Sequence, residues 1–431
     1  MPRFMAITIT NAILVDLDPL RAEAGELRID GHHIAARGNS VRQPNDEIID
    51  AAGAVVLPGM VNGHTHLYSA LATGMPPPPR VPTSFLEILH LVWWRLDRAL
   101  DDESNETSAR IGAIEALCCG TTTLIDHHAS PNAIDGSLDA IERGIASVGL
   151  RGVLCYETTD RNGHAGRDAG LAENQRYLKL CDSRRDGRFA ALVGAHAAFT
   201  LDNETLDALV GLSKGFRAGI HVHVAEDPCD AQASERLARH GLFQRDSIFA
   251  HGTHLSDAAI ARVNEVGLTI AHNTRSNMNN AVGYAPLAKL KCPVMLGTDG
   301  IGGDMFGEMR TAWFKSRDAR SGLSPMDVIA MQANAARRAS QSLGVTLGKL
   351  EPGTAADVVV TDYIPATPID STNLVGHLLF GIEARHVRDV MVDGHWAMRD
   401  RKLINIDEAK TRREARQITE SFWRRLDLTP A

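Results

Sequence analysis

The sequence contains little cysteine and no long apolar run. Its six cysteines are scattered over 431 residues without a C-x-x-C pair, which argues against a disulfide framework and against a zinc site built from cysteine. No stretch approaches the roughly 18 uninterrupted apolar residues of a membrane helix. The N-terminus alternates apolar and polar residues where a signal peptide would have a continuous apolar core. We therefore expect a cytoplasmic protein that has no membrane partner.

An excess of positive charge is also missing. The formal net charge is −8, and 23% of the residues are charged, so neither a nucleic-acid backbone nor an anionic membrane is expected as the main partner. A neutral or cationic small molecule suits this charge better. With 44% hydrophobic residues, a chain of this length can bury a large core, and a globular enzyme is the expected class.

Eight short apolar runs recur along the middle of the chain, most of them separated by stretches long enough for a helix. They cover residues 54–62, 121–126, 151–157, 190–199, 218–226, 247–252, 268–274 and 292–300. Continuous apolar strands that alternate with helices indicate a parallel sheet, and eight of them can close into a barrel. We predict an α/β protein with a (β/α)8 TIM-like barrel over residues 55–351. Strand-rich passages in residues 1–54 and 352–431 predict a small β-sandwich built from both chain ends, with a C-terminal segment after it.

Polar side chains follow these runs at the strand ends, where a parallel barrel places its chemistry. The stretch GHTH at the end of the first strand carries His64 and His66 two residues apart, so both imidazoles can point to the same face. The later strands end in further candidates, which are His223, Glu226, His251, His272 and Asp299. Imidazoles together with a carboxylate form a nitrogen and oxygen ligand set suited to Zn²⁺ or Fe²⁺, with room for a water. The sequence thus predicts a metal site at the barrel mouth.

Each of these residues has a simpler interpretation when it is taken alone. An H-x-H pair is commonly a coincidence, His223 can be a hydrogen-bonded core histidine, and Asp299 can be a turn residue. A carboxylate just past a strand, such as Glu226, often caps a helix. The metal interpretation rests on their conjunction, because every one of them follows a separately predicted strand. His221 faces the same way as His223 one layer deeper, and we expect it to pack beneath the site or to support a ligand.

A set of motifs occurs in order along nearly the whole chain. It comprises PGMVNGHTH, TTTLID, HVAE, FAHGTH, AHNTRSNM, GTDG and the closing GKLEPGTAADVVVTD. This set resembles the amidohydrolase superfamily, and within it the cytosine-deaminase-like branch of deaminases and triazine chlorohydrolases (ATZ/TRZ). The segments FLEILHLVWWRLDRALDDE, HNTRSNMNNAVG and GTDGIGGDMF are most similar to the aminohydrolases of the SsnA type.

The resemblance implies a role for each residue that matches a motif of the superfamily. The matched metal ligands are His64, His66, His223 and Asp299. Glu226 matches the general acid/base, His251 matches the imidazole that steers the attacking water and the developing oxyanion, and His196 matches a position that faces the substrate. Binuclear relatives carry a lysine carbamate on the fourth strand, but the run AALVGAHAAF has no lysine. One divalent metal per chain, zinc or else iron, is therefore expected.

The expected reaction is the hydrolytic removal of ammonia from a ring. A hydroxide formed on the metal attacks an electron-poor ring carbon. Asp299 takes the proton of the water, Glu226 protonates the ring nitrogen, and His251 hydrogen-bonds the new oxygen. The resemblance thus implies a deaminase of an amino-substituted N-heterocycle of the purine, pyrimidine, pterin or triazine type. A ring-opening cyclic-amide hydrolase or a dechlorinating hydrolase is the alternative, and a non-catalytic ligand-binding barrel is a third interpretation.

The long loop after the first strand is the expected source of substrate specificity. Trp93 and Trp94 are adjacent, so in a helix only one of them can fully face the pocket, and the other should pack against the barrel. Glu87 in this loop and Arg275 after the seventh strand are further candidate substrate contacts. A solvated charged side chain is the simpler interpretation of both. The resemblance also implies a homo-oligomer, a dimer or larger, that acts on a small heterocyclic molecule.

Overall fold

The structure is a computed structural model and describes residues 5–430. Its strands are β1 (Ile7–Leu17), β2 (Leu20–Asp30), β3 (His33–Gly38), β4 (Glu47–Asp50), β5 (Val55–Pro58), β6 (Met60–Thr65), β7 (Thr121–His128), β8 (Arg151–Tyr156), β9 (Phe189–Ala191), β10 (Val193–Ala197), β11 (Ile220–Val224), β12 (Ile248–His251), β13 (Thr269–His272), β14 (Val294–Leu296), β15 (Val358–Thr361), β16 (Val387–Val392), β17 (His395–Arg399) and β18 (Lys402–Leu403). Its α-helices are α1 (Phe85–Ile88), α2 (Trp94–Ala99), α3 (Asp102–Cys118), α4 (Ser137–Val148), α5 (Gly163–Arg184), α6 (Asn203–Phe216), α7 (Ala233–Arg239), α8 (Asp257–Val266), α9 (Thr274–Asn279), α10 (Met305–Asp318), α11 (Pro325–Leu343), α12 (Leu374–Gly376) and α13 (Glu408–Leu428). None of the helices in residues 5–430 combines the length and the apolar character that crossing a membrane requires.

Two parallel sheets occupy the middle of the chain. Strands β6 to β9 pair in chain order in one sheet, and strands β10 to β14 pair in chain order in the other. Their residues are almost all buried, because helices such as α4, α5 and α11 pack against them. The predicted α/β class with parallel strands is confirmed, and each of the eight apolar runs contains at least part of one of these strands.

Single bridges connect the two parallel sheets. Thr65 at the end of β6 bridges to Asp299 just after β14, and Thr158 just after β8 bridges to Ala195 in β10, both in parallel orientation. The carboxyl ends of strands from both sheets therefore come together, as the site requires. Closure of the eight strands into one barrel stays a prediction.

The two ends of the chain meet in a third, nine-stranded sheet. Its order is β18-β17-β16-β15-β5-β1-β2-β3, and β4 pairs with β1 beside β5. Strand β15 from the C-terminal part runs antiparallel to β5, with Val359 opposite Leu57. The ends thus share a sheet, while its division into the two layers of a sandwich stays a prediction.

The first apolar run divides at Gly59 between two sheets. Residues 55–58 form β5 in the nine-stranded sheet, and residues 60–65 form β6 in a parallel sheet. A Cβ at position 59 would lie 2.2 Å from Oγ1 of Thr122, so only glycine allows the chain to pass β7 this closely. The run that the sequence assigned to one barrel strand is therefore two short strands with a turn point between them.

The last helix packs against the long loop that follows β6. Nε1 of Trp423 in α13 donates to the carbonyl oxygen of Leu71 across 3.1 Å. Arg95 in α2 donates to the carbonyl oxygens of Leu426 and Thr429, at 3.0 and 2.9 Å. In the same loop, a π-helical turn at Leu89–Trp93 joins α1 to α2. These contacts hold the loop over the carboxyl ends of the parallel strands.

Candidate metal centre and active site

The predicted strand-end residues converge on one buried point. His64 and His66 come from β6 and the residue after it, His223 from β11, and Asp299 from just after β14. Nε2 of His66 lies 3.0 Å from Oδ1 of Asp299 and 3.2 Å from Nε2 of His223. Nε2 of His64 lies 3.7 Å from the same Oδ1. Ligand atoms of His64, His66 and Asp299 all fall within 4.8 Å of one another, a spacing that one metal ion can fill.

A hydrogen bond on the far side of each histidine ring orients it toward this point. In every case Nδ1 has a partner, which leaves Nε2 toward the centre. The pairs are His64 Nδ1 with His221 Nε2 at 2.8 Å, His66 Nδ1 with the His127 carbonyl at 2.6 Å, His223 Nδ1 with the His196 carbonyl at 2.8 Å, and His251 Nδ1 with Oδ1 of Asn277 at 2.8 Å. Because carbonyl and amide oxygens only accept, Nδ1 of the last three rings carries a proton, and Nε2 is the atom turned toward the centre.

Two of these inward-facing nitrogens are buried without a hydrogen bond. Within the described chain, Nε2 of His64 and Nε2 of His251 have no hydrogen-bond partner. A buried polar atom without a partner is costly, and such atoms at a functional site commonly belong to a ligand or ion. The nitrogen and oxygen donors here match the preference of Zn²⁺ or Fe²⁺. The residues present therefore fit a divalent metal.

The charges at the centre also suit a metal. Burial lowers the pKa of His64 and of His223 well below the ordinary value, so both rings are neutral. Burial opposes protonation of His66 as well, but its hydrogen bond to Asp299 raises the pKa of His66 to about 9. Against the effect of burial, His66 holds the pKa of Asp299 well below its ordinary value. Metal binding would replace the proton of His66 and keep the ionised carboxylate.

The backbone is strained at the same strand ends. His251 has φ of 72° and Asp299 has φ of 56°, in the left-handed region that non-glycine residues rarely adopt. Ala225, which precedes Glu226, has φ of 50°. These conformations direct the strand-end side chains toward the candidate metal centre at some cost in stability, as is common at functional sites.

Glu226 lies beside His251, and its carboxyl group is largely buried. Its Oε2 is 3.5 Å from Nε2 of His251. Burial raises the pKa of Glu226 to about 7, with smaller effects of His251 and Asp299 that oppose each other. The carboxyl group can therefore both hold and release a proton near neutral pH, as a general acid/base must.

A cavity of about 780 Å³, its mouth included, opens over this centre. His66, His223, Glu226, His251 and Asp299 form its floor, and the aromatic side chains on its walls are Tyr68, Phe85, Trp93, Trp94 and Phe199. Its lining is typical of small-molecule sites, which combine apolar walls with a few convergent polar groups. A flat heterocycle suits such walls.

Three of the predicted substrate contacts line this cavity. His196 does so with Nδ1 2.7 Å from Oγ1 of Thr200, and burial lowers the pKa of His196 to about 3. Trp93 and Trp94 both line it. Trp93 also packs against the main hydrophobic core, as expected of one of the two tryptophans.

Glu87 and Arg275 do not line the cavity. Glu87 pairs with Arg80 at 2.6 Å and accepts from the backbone N–H of Thr83 at 2.7 Å. Arg275 pairs with the buried Glu308 and donates to the carbonyl oxygen of Ile301 at 3.1 Å. The structure gives both side chains a structural partner in place of the substrate contact that the sequence predicted. His272 likewise lies outside the cavity lining, with its ring 5.7 Å from that of Tyr284.

Sequence reasoning missed Glu157, which lines the cavity immediately after β8. Its Oε2 lies 3.2 Å from Nδ1 of His127, and its Oε1 lies 3.6 Å from Nε2 of His196. The signal was present, because Glu157 ends the third apolar run as the other candidates end theirs. Ser276 and Asn280, from α9 and just after it, were missed as well.

Known proteins match this chain along nearly its whole length. The sequence model of the amidohydrolase family matches residues 55–397. The chain is 28% identical to 5-methylthioadenosine/S-adenosylhomocysteine deaminase of Desulforudis audaxviator, over 97% of this chain and 100% of that protein. It is also 28% identical to 5'-deoxyadenosine deaminase of Methanobrevibacter smithii, over 96% of this chain and 98% of that protein.

Solved structures share the fold. An adenosine deaminase from Xanthomonas campestris with bound zinc has a TM-score of 0.82 at 23% identity, covering 99% of this chain and 100% of that one. The atrazine chlorohydrolase TrzN from Arthrobacter aurescens, complexed with zinc, has a TM-score of 0.78 at 22% identity, covering 96% and 100%. At these identities the likeness concerns the arrangement of the chain and leaves the substrate open.

Proposed function

Because this chain belongs to the amidohydrolase family, we propose that it removes the exocyclic amino group of an adenosine-like ring by metal-dependent hydrolysis. The predicted family and the predicted class of enzyme, a hydrolase of carbon–nitrogen bonds, are confirmed. The observation that carries the proposal is that His66, His223, Glu226, His251 and Asp299 share the floor of one cavity and that His64 lies against them.

We assign the metal to four of these residues. His64, His66 and His223 would donate Nε2, and Asp299 would donate a carboxylate oxygen, to one divalent ion per chain. Zinc is the proposed metal, since it prefers this mixed nitrogen and oxygen set. When bound, a divalent cation supplies Lewis acidity that makes water a nucleophile near neutral pH.

The protein residues then divide the proton transfers. Asp299 is ionised and can accept a proton from the attacking water. Glu226, half protonated near neutral pH, can donate to the ring nitrogen next to the attacked carbon. His251 offers the lone pair of Nε2 to the hydrogen of the water, because Asn277 holds the ring proton on Nδ1. Asp299 then passes the proton from the water to the exocyclic nitrogen, which leaves as ammonia. The remaining hydroxyl proton returns to Glu226, and the amino heterocycle becomes its oxo form.

The cavity walls support a planar substrate. Trp93, Trp94 and Phe85 can hold a ring between apolar faces, and His196 offers a polar edge. The deaminases named among the relatives act on adenosine derivatives, and we extend that ring class to this chain.

The wider organisation is part of the same proposal. Residues 55–351 would form a closed (β/α)8 barrel, and residues 1–54 and 352–431 would form the β-sandwich and C-terminal segment. The isolated bridges between the two parallel sheets support the barrel. We also propose that the enzyme acts in the cytoplasm as a homo-oligomer, on a small molecule and without nucleic acid or membrane partners.

A combined metal and ammonia assay tests this function. Elemental analysis of the purified protein should give about one metal per chain, and a screen of amino-purines, amino-pyrimidines, pterins and triazines should release ammonia, with adenosine derivatives the best. If the protein binds metal but releases no ammonia, the assignment of ammonia as the leaving group is wrong. Ring opening and dechlorination would then be assayed. A protein that binds no zinc or iron under any preparation would contradict the site itself.

A further inference from the structure

We propose that Glu157 selects the substrate and that the cavity accepts only amino-heterocycles without a phosphate or carboxylate group. This inference rests on the proposed deaminase function and narrows its substrate class. It concerns a residue that takes no part in the proton transfers above.

Glu157 is an ionised carboxylate in the cavity wall. The side chain is 4% exposed and lies among His127, His196 and Arg161, whose Nη2 is 3.7 Å from Oε1. Burial alone would raise its pKa, but interactions with His196, His127 and Arg161 hold the pKa of Glu157 well below the ordinary value. A carboxylate in this state only accepts hydrogen bonds. It therefore favours a ring edge that carries N–H groups or an amino group.

Away from the metal centre, the cavity offers no cationic side chain to an anionic substrate. Among residues 5–430, its lining includes neither lysine nor arginine, but it includes the four carboxylates of Glu157, Glu226, Asp230 and Asp299. A phosphate or carboxylate group that binds above the metal loses its hydration shell and meets no lysine or arginine in exchange. The walls thus oppose anionic substrates as well as failing to bind them.

The nearby Arg161 is not available as a counter-ion for an anionic substrate. Its guanidinium stacks on the Trp94 ring, 4.9 Å from the centroid. It pairs with the buried Asp97 as well as with Glu157. Two carboxylates therefore already neutralise it, and the tryptophan ring covers one of its faces.

Matched pairs of substrates test the inference on the unmodified, zinc-loaded enzyme. Adenosine is compared with adenosine 5'-monophosphate, and 5-methylthioadenosine with S-adenosylhomocysteine, so that each pair shares its ring and differs in a charged group. We expect kcat/KM to fall at least about 100-fold for the charged member of each pair. Equal kcat/KM within about threefold would overturn the inference. Absence of ammonia from all four compounds would instead contradict the deaminase function.

The variant Glu157→Gln tests the assigned residue. It keeps the shape of the side chain and removes its negative charge. We expect kcat/KM for adenosine to fall about tenfold, mainly because KM rises. The ratio of kcat/KM between adenosine and adenosine 5'-monophosphate should become smaller. Zinc content should stay at the wild-type level. The matched control is Glu173→Gln, which removes a fully buried carboxylate that pairs with Arg176 outside the cavity. Unchanged KM and unchanged discrimination in Glu157→Gln would overturn its role, and the substrate pairs decide the class even if this variant fails to fold.

Discussion

The hydroxyl of Ser276 donates a hydrogen bond to Oδ2 of Asp299 across 2.6 Å. The other oxygen of that carboxylate, Oδ1, lies 3.0 Å from Nε2 of His66. Ser276 belongs to α9 and Asp299 follows β14, so the contact joins the helix after β13 to the loop after β14. The serine thereby fixes the rotation of the carboxylate, with one oxygen turned to the histidines and the other held toward α9.

The variant Ser276→Ala should lower kcat about 10- to 100-fold, because a hydrogen bond to a charged group contributes about 1.5–3 kcal/mol. KM and zinc content should change little, since Asp299 remains. Steady-state kinetics with elemental analysis makes the measurement. Ser213→Ala is the control, as Ser213 makes a buried hydrogen bond to Ala218 away from the cavity. A wild-type kcat in Ser276→Ala would show that Asp299 needs no such support.

The variant Glu226→Gln should abolish turnover while the metal stays bound. Glutamine has the shape of glutamate but cannot donate the proton that the ring nitrogen needs, so kcat should fall about 10³-fold or more. Parallel assays of ammonia release and zinc content separate the two effects. Glu173→Gln provides the matched buried control. Retained turnover would remove Glu226 from the acid/base role.

The variant Asp299→Ala should lower zinc content and activity together. The carboxylate is the only anionic donor that we assign to the metal, and its loss leaves three neutral imidazoles. Zinc per chain is measured after dialysis against a weak chelator. Asp257→Ala, which removes an exposed carboxylate paired with Lys289, should keep its zinc. Full metal occupancy in Asp299→Ala would contradict its assignment as a ligand.

Strand-end residues were predictable because the rule behind them is local. The carboxyl ends of parallel strands meet at one edge, so His64, His223 and Asp299 could be brought together from the apolar runs alone. The same rule applied to the third run would have found Glu157. That residue was missed because the rule was not applied to the third run.

The remaining errors depend on contacts that sequence spacing does not encode. Arg275 pairs with Glu308, which lies on a different helix 33 positions further along the chain. The sequence alone therefore could not show whether its guanidinium is free or paired. The split of the first run at Gly59 reflects a close approach to Thr122, which only the packed structure reveals.

The variant Asn277→Leu should lower kcat about 100-fold by releasing the ring of His251. The amide oxygen of Asn277 holds the proton on Nδ1 of that ring, and leucine removes this acceptor at similar volume. Asn277→Asp restores an acceptor oxygen, and we expect it to keep kcat within about tenfold of wild type. The comparison is made by steady-state kinetics of the wild type and both variants. Equal losses in both variants would indicate a packing role for Asn277.

Asp126 should make the stability of the protein fall as the pH rises. Its Oδ1 accepts from the backbone N–H of Leu67 at 2.7 Å, while Oδ2 has no partner among the described residues. Burial raises the pKa of Asp126 to about 7. Below about pH 4 the carboxyl is protonated in the folded and unfolded chain alike. Between about pH 4 and 7 only the folded chain keeps the proton, so the free energy of unfolding decreases as the pH rises.

The variant Asp126→Asn removes this titration and keeps an acceptor for Leu67. Relative to wild type, its free energy of unfolding should therefore rise from about pH 5 to about pH 8, by up to about 2 kcal/mol, because one pKa unit corresponds to about 1.4 kcal/mol. Urea unfolding of zinc-saturated protein at several pH values measures the difference. Asp168→Asn removes an exposed carboxylate. Its plot of unfolding free energy against pH should run parallel to that of the wild type. Parallel curves for Asp126→Asn as well would mean that Asp126 is already ionised in the folded protein, and that the charge of a neighbouring group compensates its burial.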